Sequence, residues 1–171
     1  MSQQVDSRVE LYTAAQRQRR DRSPWTLVQA ILAPLQFLAF AISLALVLRF
    51  LLSGQGLAAA NLSVLIKTGF LYAIMVTGSF WEREVYGKWL FAAPFFWEDA
   101  VSMLVIALHS AYVLALWLHW LSAQELMILA LAAYFTYSVN ATQFLLKFRA
   151  ARVSGQHALN HAQLLRAGVA K

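Results

Sequence analysis

Residues 25–52 read WTLVQAILAPLQFLAFAISLALVLRFLL, with a single charge, Arg49. That run exceeds the roughly 20 residues a helix needs to cross a hydrocarbon core of about 30 Å. Lipid cannot satisfy exposed backbone groups, so the run reads as a helix and not as an open strand. Three more apolar stretches follow at 57–80, 100–121 and 126–148. Of the 171 residues, 60% are hydrophobic and 13% charged, and mean hydropathy is +0.56. Soluble domains hold about 45–50% apolar residues. The expected fold is an all-α integral membrane four-helix bundle. Pro34 is expected to kink the first span or to mark a shallow start. Ser53-Gly-Gln-Gly56 signals a turn, and Ser122-Ala-Gln-Glu125 a cap for the fourth helix.

Basic residues set the expected orientation. Twelve of the fourteen Lys and Arg fall on one side if the N-terminus is inside, leaving only Arg49 outside and Lys67 within the second span. By the positive-inside rule both termini are cytoplasmic. The chain then divides into a basic arm (1–24), the membrane domain (25–148) and a basic tail (149–171). The arm lacks the apolar core of a signal peptide, and is expected near anionic headgroups or as a topology signal alone. His157 and His161 are spaced i, i+4 in the tail, but with no third ligand nearby a solvated tail is expected. Cysteine is absent, which excludes disulfides and thiolate metal sites. Lys67 is expected to snorkel toward the outer surface.

Between spans two and three lies Trp81-Glu-Arg-Glu-Val-Tyr-Gly-Lys-Trp-Leu-Phe-Ala-Ala-Pro-Phe-Phe-Trp-Glu-Asp99. Four carboxylates and three tryptophans exceed what anchoring two helix ends requires. Such a cytoplasmic loop suits a large, flat, apolar ligand, with polar groups fixing its orientation. Glu98 and Asp99 have a plainer use at the N-terminus of a helix. Glu82 and Glu84 have another, pairing with Arg83, Lys88 or Lys147. The catalytic reading is that burial beside Trp81, Phe96 and Trp97 keeps one carboxyl protonated near neutral pH as a general acid, while an ionised one activates water.

Each span also carries a polar stripe at helical spacing: Gln29, Gln36 and Ser43; Thr68, Tyr72, Ser79 and Glu82; Glu98, Ser102, His109 and Tyr112; Thr136, Asn140, Gln143 and Lys147. Intervals of 3, 4 or 7 put each set on one face. Polar groups in spans face a protein interior, either as interhelical hydrogen bonds or as a functional seam. Gln29, Ser43 and Thr136 read as the former. His109 reads either as a hydrogen-bonded interior residue or as a ligand or proton shuttle.

Several long strings are specific enough to compare with known families: Pro24-Trp-Thr-Leu-Val-Gln29, Ile31-Leu-Ala-Pro-Leu-Gln-Phe37, Tyr72-Ala-Ile-Met-Val-Thr-Gly-Ser-Phe-Trp-Glu82, Gly87-Lys-Trp-Leu-Phe91, Phe95-Phe-Trp-Glu-Asp99, Ser102-Met-Leu-Val with His109, and Asn140-Ala-Thr-Gln-Phe-Leu-Leu-Lys147. Over about residues 11–152 the chain resembles the 3-vinyl bacteriochlorophyllide hydratase family of bacteriochlorophyll biosynthesis, known in older nomenclature as 2-vinyl. The resemblance implies addition of water to the C3 vinyl group of a magnesium tetrapyrrole, giving a 1-hydroxyethyl group. It also implies a photosynthetic inner membrane, cytoplasmic or intracytoplasmic, with other pigment-synthesis enzymes as neighbours. No redox cofactor is expected, because hydration changes no net electron count, and no nucleic-acid partner is expected.

Protonation of the vinyl terminus would leave a cation delocalised into the ring, and aromatic faces favour such charge. The residues then take these expected roles. Glu82 or Glu98 donates the proton, and Asp99 or the other glutamate orients water. His109, Asn140 and Gln143 contact the macrocycle, with His109 a candidate ligand to its magnesium. Trp81, Phe96 and Trp97 line the plane, and Arg83 or Lys88 holds the propionate carboxylate. The alternative reading is a non-catalytic pigment-binding or assembly protein of the same membrane. A small transporter is disfavoured by the short loops, the absence of an inverted repeat and the carboxylates clustered on one side.

Overall fold

The computed structural model describes the backbone of residues 11–169 and the side chains of residues 11–153. The expectations for residues 1–10, and for the side chains of His157 and His161, lie outside the described residues. Five helices follow one another: α1 (Ala14–Arg22), α2 (Pro24–Ser53), α3 (Leu57–Tyr86), α4 (Phe96–Leu118) and α5 (Ala123–Val169), with a 3-10 turn at Ala93–Phe95. No strand occurs among the described residues. Pro24–Ser53, Leu57–Tyr86 and Ala93–Leu118 are long and apolar enough to cross a membrane.

Local chemistry sets the ends. Pro24 opens α2, where its missing N–H is no loss. Gly54 and Gly56 take φ +70° and +87° in the tight turn to α3, a conformation that costs glycine nothing. Ser122 and Glu125 form a reciprocal cap at the start of α5, at 2.8 and 3.4 Å. These bonds to Ser122 hold the Glu125 carboxyl below its ordinary range.

Four boundary expectations are adjusted. First, α2 is one helix through Pro34, so Pro34 does not mark a shallow start; a span tolerates the lost backbone bond when neighbours re-satisfy the freed carbonyl. Second, α3 continues to Tyr86 and α4 begins at Phe96. The 81–99 loop therefore shrinks to 87–95, and all four carboxylates stand on helices. Third, α4 stops at Leu118, where His119 caps it at φ +54°. Fourth, the expected fourth span lies inside a single helix of 47 residues, because Arg149-Ala-Ala-Arg152 favours helix and nothing after Phe148 breaks it.

The helices pack as two hairpins, α2 along α3 and α4 along α5. The hairpins meet through α2–α5 and α3–α4, and α1 lies against α3. Near the two tight turns, Val47, Val64, Tyr112, Met127 and Tyr134 form a shared core; Leu71, Val105 and Tyr137 form a smaller one. Apolar burial drives little association where the solvent is itself apolar, so close packing and interhelical hydrogen bonds hold such helices, at about 0.6–2 kcal/mol per bond. Ser43 links Ser63 and Tyr134 at 2.7 and 2.5 Å. Tyr112 donates to Asn61 at 2.7 Å, and Gln29 bonds Ile74 and Thr77. Gln29 and Ser43 thus act as interhelical contacts. Thr136 does not: its hydroxyl turns back to Ala132 and Ala133 of its own helix.

Lys67 overturns the snorkelling expectation. It is fully buried, with Nζ 2.5 Å from His109 Nε2 and 4.2 Å from the Tyr137 ring centroid. The interior offers the amine a ring nitrogen and a π face, so it need not reach water.

Candidate active site

Three carboxylates converge where α3 ends and α4 begins. Glu82 sits in the closing turns of α3, and Glu98 and Asp99 in the first turn of α4. All three are buried, at 6%, 6% and 3% exposure. Two of them bind the loop: Phe91 N–H donates to Asp99 Oδ2 at 2.7 Å, and Ala92 N–H donates to Glu82 Oε2 at 3.1 Å. The Glu82 and Asp99 carboxyls also lie close enough to each other to interact directly. Two buried carboxyls this close can share one proton, since an ionised carboxylate only accepts hydrogen bonds. Phe91 holds φ +58°, a left-handed conformation that is rare for a residue with a bulky side chain.

Glu98 is arranged differently. Lys147 of α5 pairs with its carboxylate and also donates to the Pro94 carbonyl. The Lys147 Nζ stands 5.1 Å from the Phe95 ring centroid. Asn140 donates to the Glu98 backbone carbonyl at 2.8 Å and accepts from Ser102 at 3.2 Å. The first turn of α4 is thus clamped by α5, which fixes Asp99 against Glu82. Glu98 and Asp99 both stand in the first turn of α4, where negative charge suits the helix N-terminus. The ion pairing expected of Glu82 and Glu84 does not occur as foreseen: Lys147 takes Glu98, and Glu84 accepts from the Ser23 hydroxyl at 2.5 Å.

The aromatics fall into three groups. Phe95, 1% exposed, is the hub of the first, ringed by Trp81, Tyr86, Phe144 and Phe148. Tyr12 stacks on Tyr86 and meets Trp81 edge-on; its burial pushes the phenol above its ordinary range. Trp81 donates to Thr26 at 3.0 Å, so it is part of an interior cluster and is separate from Phe96 and Trp97. Those two form the second group with Phe91, and they are exposed. The third stacks Trp25 on Phe80 and Phe80 against Trp89, with the Arg83 guanidinium 4.3 Å above Trp89. Lys88 is exposed beside it.

His109 lies ten residues into α4 from Asp99, about 15 Å along the axis. It is fully buried, and both ring nitrogens are engaged, Nδ1 with the Val105 carbonyl at 2.7 Å and Nε2 with Lys67. Ligation of a substrate metal would have to displace Lys67. Asn140 stands beside the first turn of α4 through its bond to the Glu98 carbonyl, and Gln143, three residues on, shares its face of α5. Among the described residues no group of three or more His, Cys, Asp or Glu is placed to hold a metal ion.

Sequence reasoning named the carboxylates but missed Phe95, Tyr12 and the Phe91 and Ala92 amides. The aromatic count around Pro94 was a signal for Phe95. No signal existed for the amides, because backbone donors carry no side-chain signature.

No solved structure matches the chain. A protein named 2-vinyl bacteriochlorophyllide hydratase from Rhodobacter capsulatus is 59% identical over 152 residues, covering 89% of this chain and 88% of the relative. A protein of the same name from Cereibacter sphaeroides is 60% identical over 143 residues, 84% of this chain and 89% of the relative. The model of the family described as 2-vinyl bacteriochlorophyllide hydratase matches residues 12–150, and the chain belongs to that family.

Proposed function

We propose that this chain hydrates the vinyl group of a bacteriochlorophyllide to a 1-hydroxyethyl group, the activity carried in the names of its relatives. The observation that supports a mechanism is the buried pair of adjacent carboxyls, Glu82 and Asp99, which in this reading shares one proton. Glu82 delivers the proton to the terminal vinyl carbon, and the π pair becomes the new C–H bond. The cation at the inner carbon spreads into the macrocycle. Water adds its oxygen there and gives up a proton to Asp99. The pair ends the cycle with one proton, as it began, so no external acid or base is consumed.

The donor role goes to Glu82 and not to Glu98, because the Glu98 carboxylate is already engaged by Lys147. The exposed faces of Phe96 and Trp97 provide a wall for the ring, and Arg83 or Lys88 engages the propionate at the aqueous surface. His109 serves the interior packing. Loop 87–95 roofs the acids, so the vinyl reaches them only when the Phe91 and Ala92 amides let go. The chain is a multi-pass protein of the photosynthetic inner membrane, a four-helix bundle with both termini and loop 87–95 in the cytoplasm, in keeping with twelve of fourteen basic residues on that side.

The test is to give membranes containing the chain a 3-vinyl bacteriochlorophyllide. Loss of vinyl conjugation moves the red absorption band to shorter wavelength as the mass rises by one water. Glu82→Gln and Asp99→Asn are each expected to slow turnover by about 10²–10⁴-fold while the protein still inserts. Full activity in both variants would exclude the pair. Pigment that binds unchanged to the unmodified chain would mark a binding or assembly protein instead.

A further inference from the structure

Hydration needs a seat for water as well as a proton. Among the described residues, Gln143 Oε1 is the one buried side-chain oxygen or nitrogen without a hydrogen-bond partner. Buried polar atoms are almost always paired, and a lone exception calls for a ligand that pairs it. Gln143 stands between Asn140 and Lys147 on α5, at intervals of 3 and 4, so the three share a face. Its two neighbours are committed. Asn140 spans Ser102 and the Glu98 carbonyl, and Lys147 spans Glu98 and the Pro94 carbonyl. Both reach the first turn of α4, which carries Asp99. The amide oxygen of Gln143 is therefore an uncommitted acceptor on the face that meets the acids. Lipid offers it no donor, and a neighbouring helix has not supplied one.

We infer that Gln143 seats the water that adds to the substrate. This inference rests on the proposed hydration by the Glu82–Asp99 pair and deepens it. One water O–H donates to Gln143 Oε1, and the other points to Asp99, which takes that proton as the C–O bond forms. The oxygen lone pair is left aimed at the inner vinyl carbon. Gln143 neither gives nor takes a proton; it holds the nucleophile in place while the cation lasts. It is a positioning residue, and its loss has a signature that general damage lacks. A cation that is not captured returns its proton and reverts to the vinyl.

The experiment runs the reaction in D₂O on the full chain in membranes, with a 3-vinyl bacteriochlorophyllide. Deuterium in the recovered vinyl group counts protonations that reverted, and hydrated product counts those captured by water. Gln143→Leu is expected to lower hydration by about tenfold or more while exchange persists, so the ratio of exchange to hydration rises at least tenfold. Gln143→Glu keeps an acceptor oxygen and should hold the ratio within about threefold of the unmodified chain. An unchanged ratio in Gln143→Leu, or a raised ratio in Gln143→Glu, overturns the water seat. Glu82→Gln separates the two readings, because it should suppress exchange and hydration together. If it suppresses neither, the acid pair fails on its own account, whatever Gln143 does.

Discussion

The acid pair owes its chemistry to position, since Glu82 and Asp99 are ordinary side chains seventeen residues apart in sequence. What separates them from Glu84 and Glu98 is their partners: a serine hydroxyl for Glu84, a lysine for Glu98, and each other for the pair. In the proposed mechanism the pair works with one proton, and is inactive with two or with none. Turnover should therefore follow a bell, falling at low pH as the second proton binds and at high pH as the first is lost. Asp99→Asn leaves one titrating carboxyl, so its residual activity should keep the alkaline fall and lose the acidic one. Glu98→Gln should keep both limbs. The same logic of partners applies deeper in the protein. His109→Leu leaves the buried Lys67 amine without its acceptor and should destabilise the fold by about 1–3 kcal/mol. The double variant His109→Leu/Lys67→Met removes both polar groups and should recover most of that loss in the thermal midpoint. If the double variant instead stays folded but loses pigment binding, His109 belongs to the site after all.

At the scale of elements, α1 is a strap. Tyr12 is buried against Trp81 and Tyr86, Tyr86 donates to the Leu11 carbonyl at 3.2 Å, and the Arg20 guanidinium lies 4.7 Å over the Tyr12 ring. Read from sequence, this segment was a basic arm near headgroups. Its docking was illegible because one tyrosine in a polar stretch carries no periodicity. Tyr12→Ala should cost about 2 kcal/mol, at the low end for large-to-small core changes, and so raise the undocked population roughly thirtyfold. Limited proteolysis at Arg17–Arg22 reads this directly: cleavage should quicken while α3 and α4 stay protected. If cleavage is no faster, Tyr12 does not hold the strap. The 87–95 connection makes a similar point. Its glycine stop at Gly87, φ +78°, was visible in sequence, but the left-handed Phe91 that aims an amide at Asp99 was not.

For the whole molecule, the orientation rests on charge and is open to a direct test, since the chain contains no cysteine. Single cysteines at Gln55 and Ser122 should react with an impermeant thiol reagent in intact cells. Cysteines at Lys88 and Arg152 should react only after the membrane is opened. The reverse pattern would invert the topology. The two-hairpin packing also explains how α3, α4 and α5 all reach one site: α3 and α4 supply the acids from either side of a short loop, and α5 supplies Asn140, Gln143 and Lys147 from behind.

The sequence by itself determined the helical class, because an unbroken apolar run of about 20 residues satisfies its own backbone in lipid only as a helix, and apolar length is countable. It determined the turn at Gly54–Gly56, the cap at Ser122–Glu125 and the polar faces of the helices, because these follow from local chemistry and periodicity. Its long family-specific strings carried the family. Tertiary structure alone decided which carboxylates pair, that Lys67 turns inward to His109, that Trp81 and Trp97 belong to different clusters, and that Gln143 keeps a buried acceptor to itself. Periodicity places a side chain on a face of its own helix, but only packing says what stands opposite it.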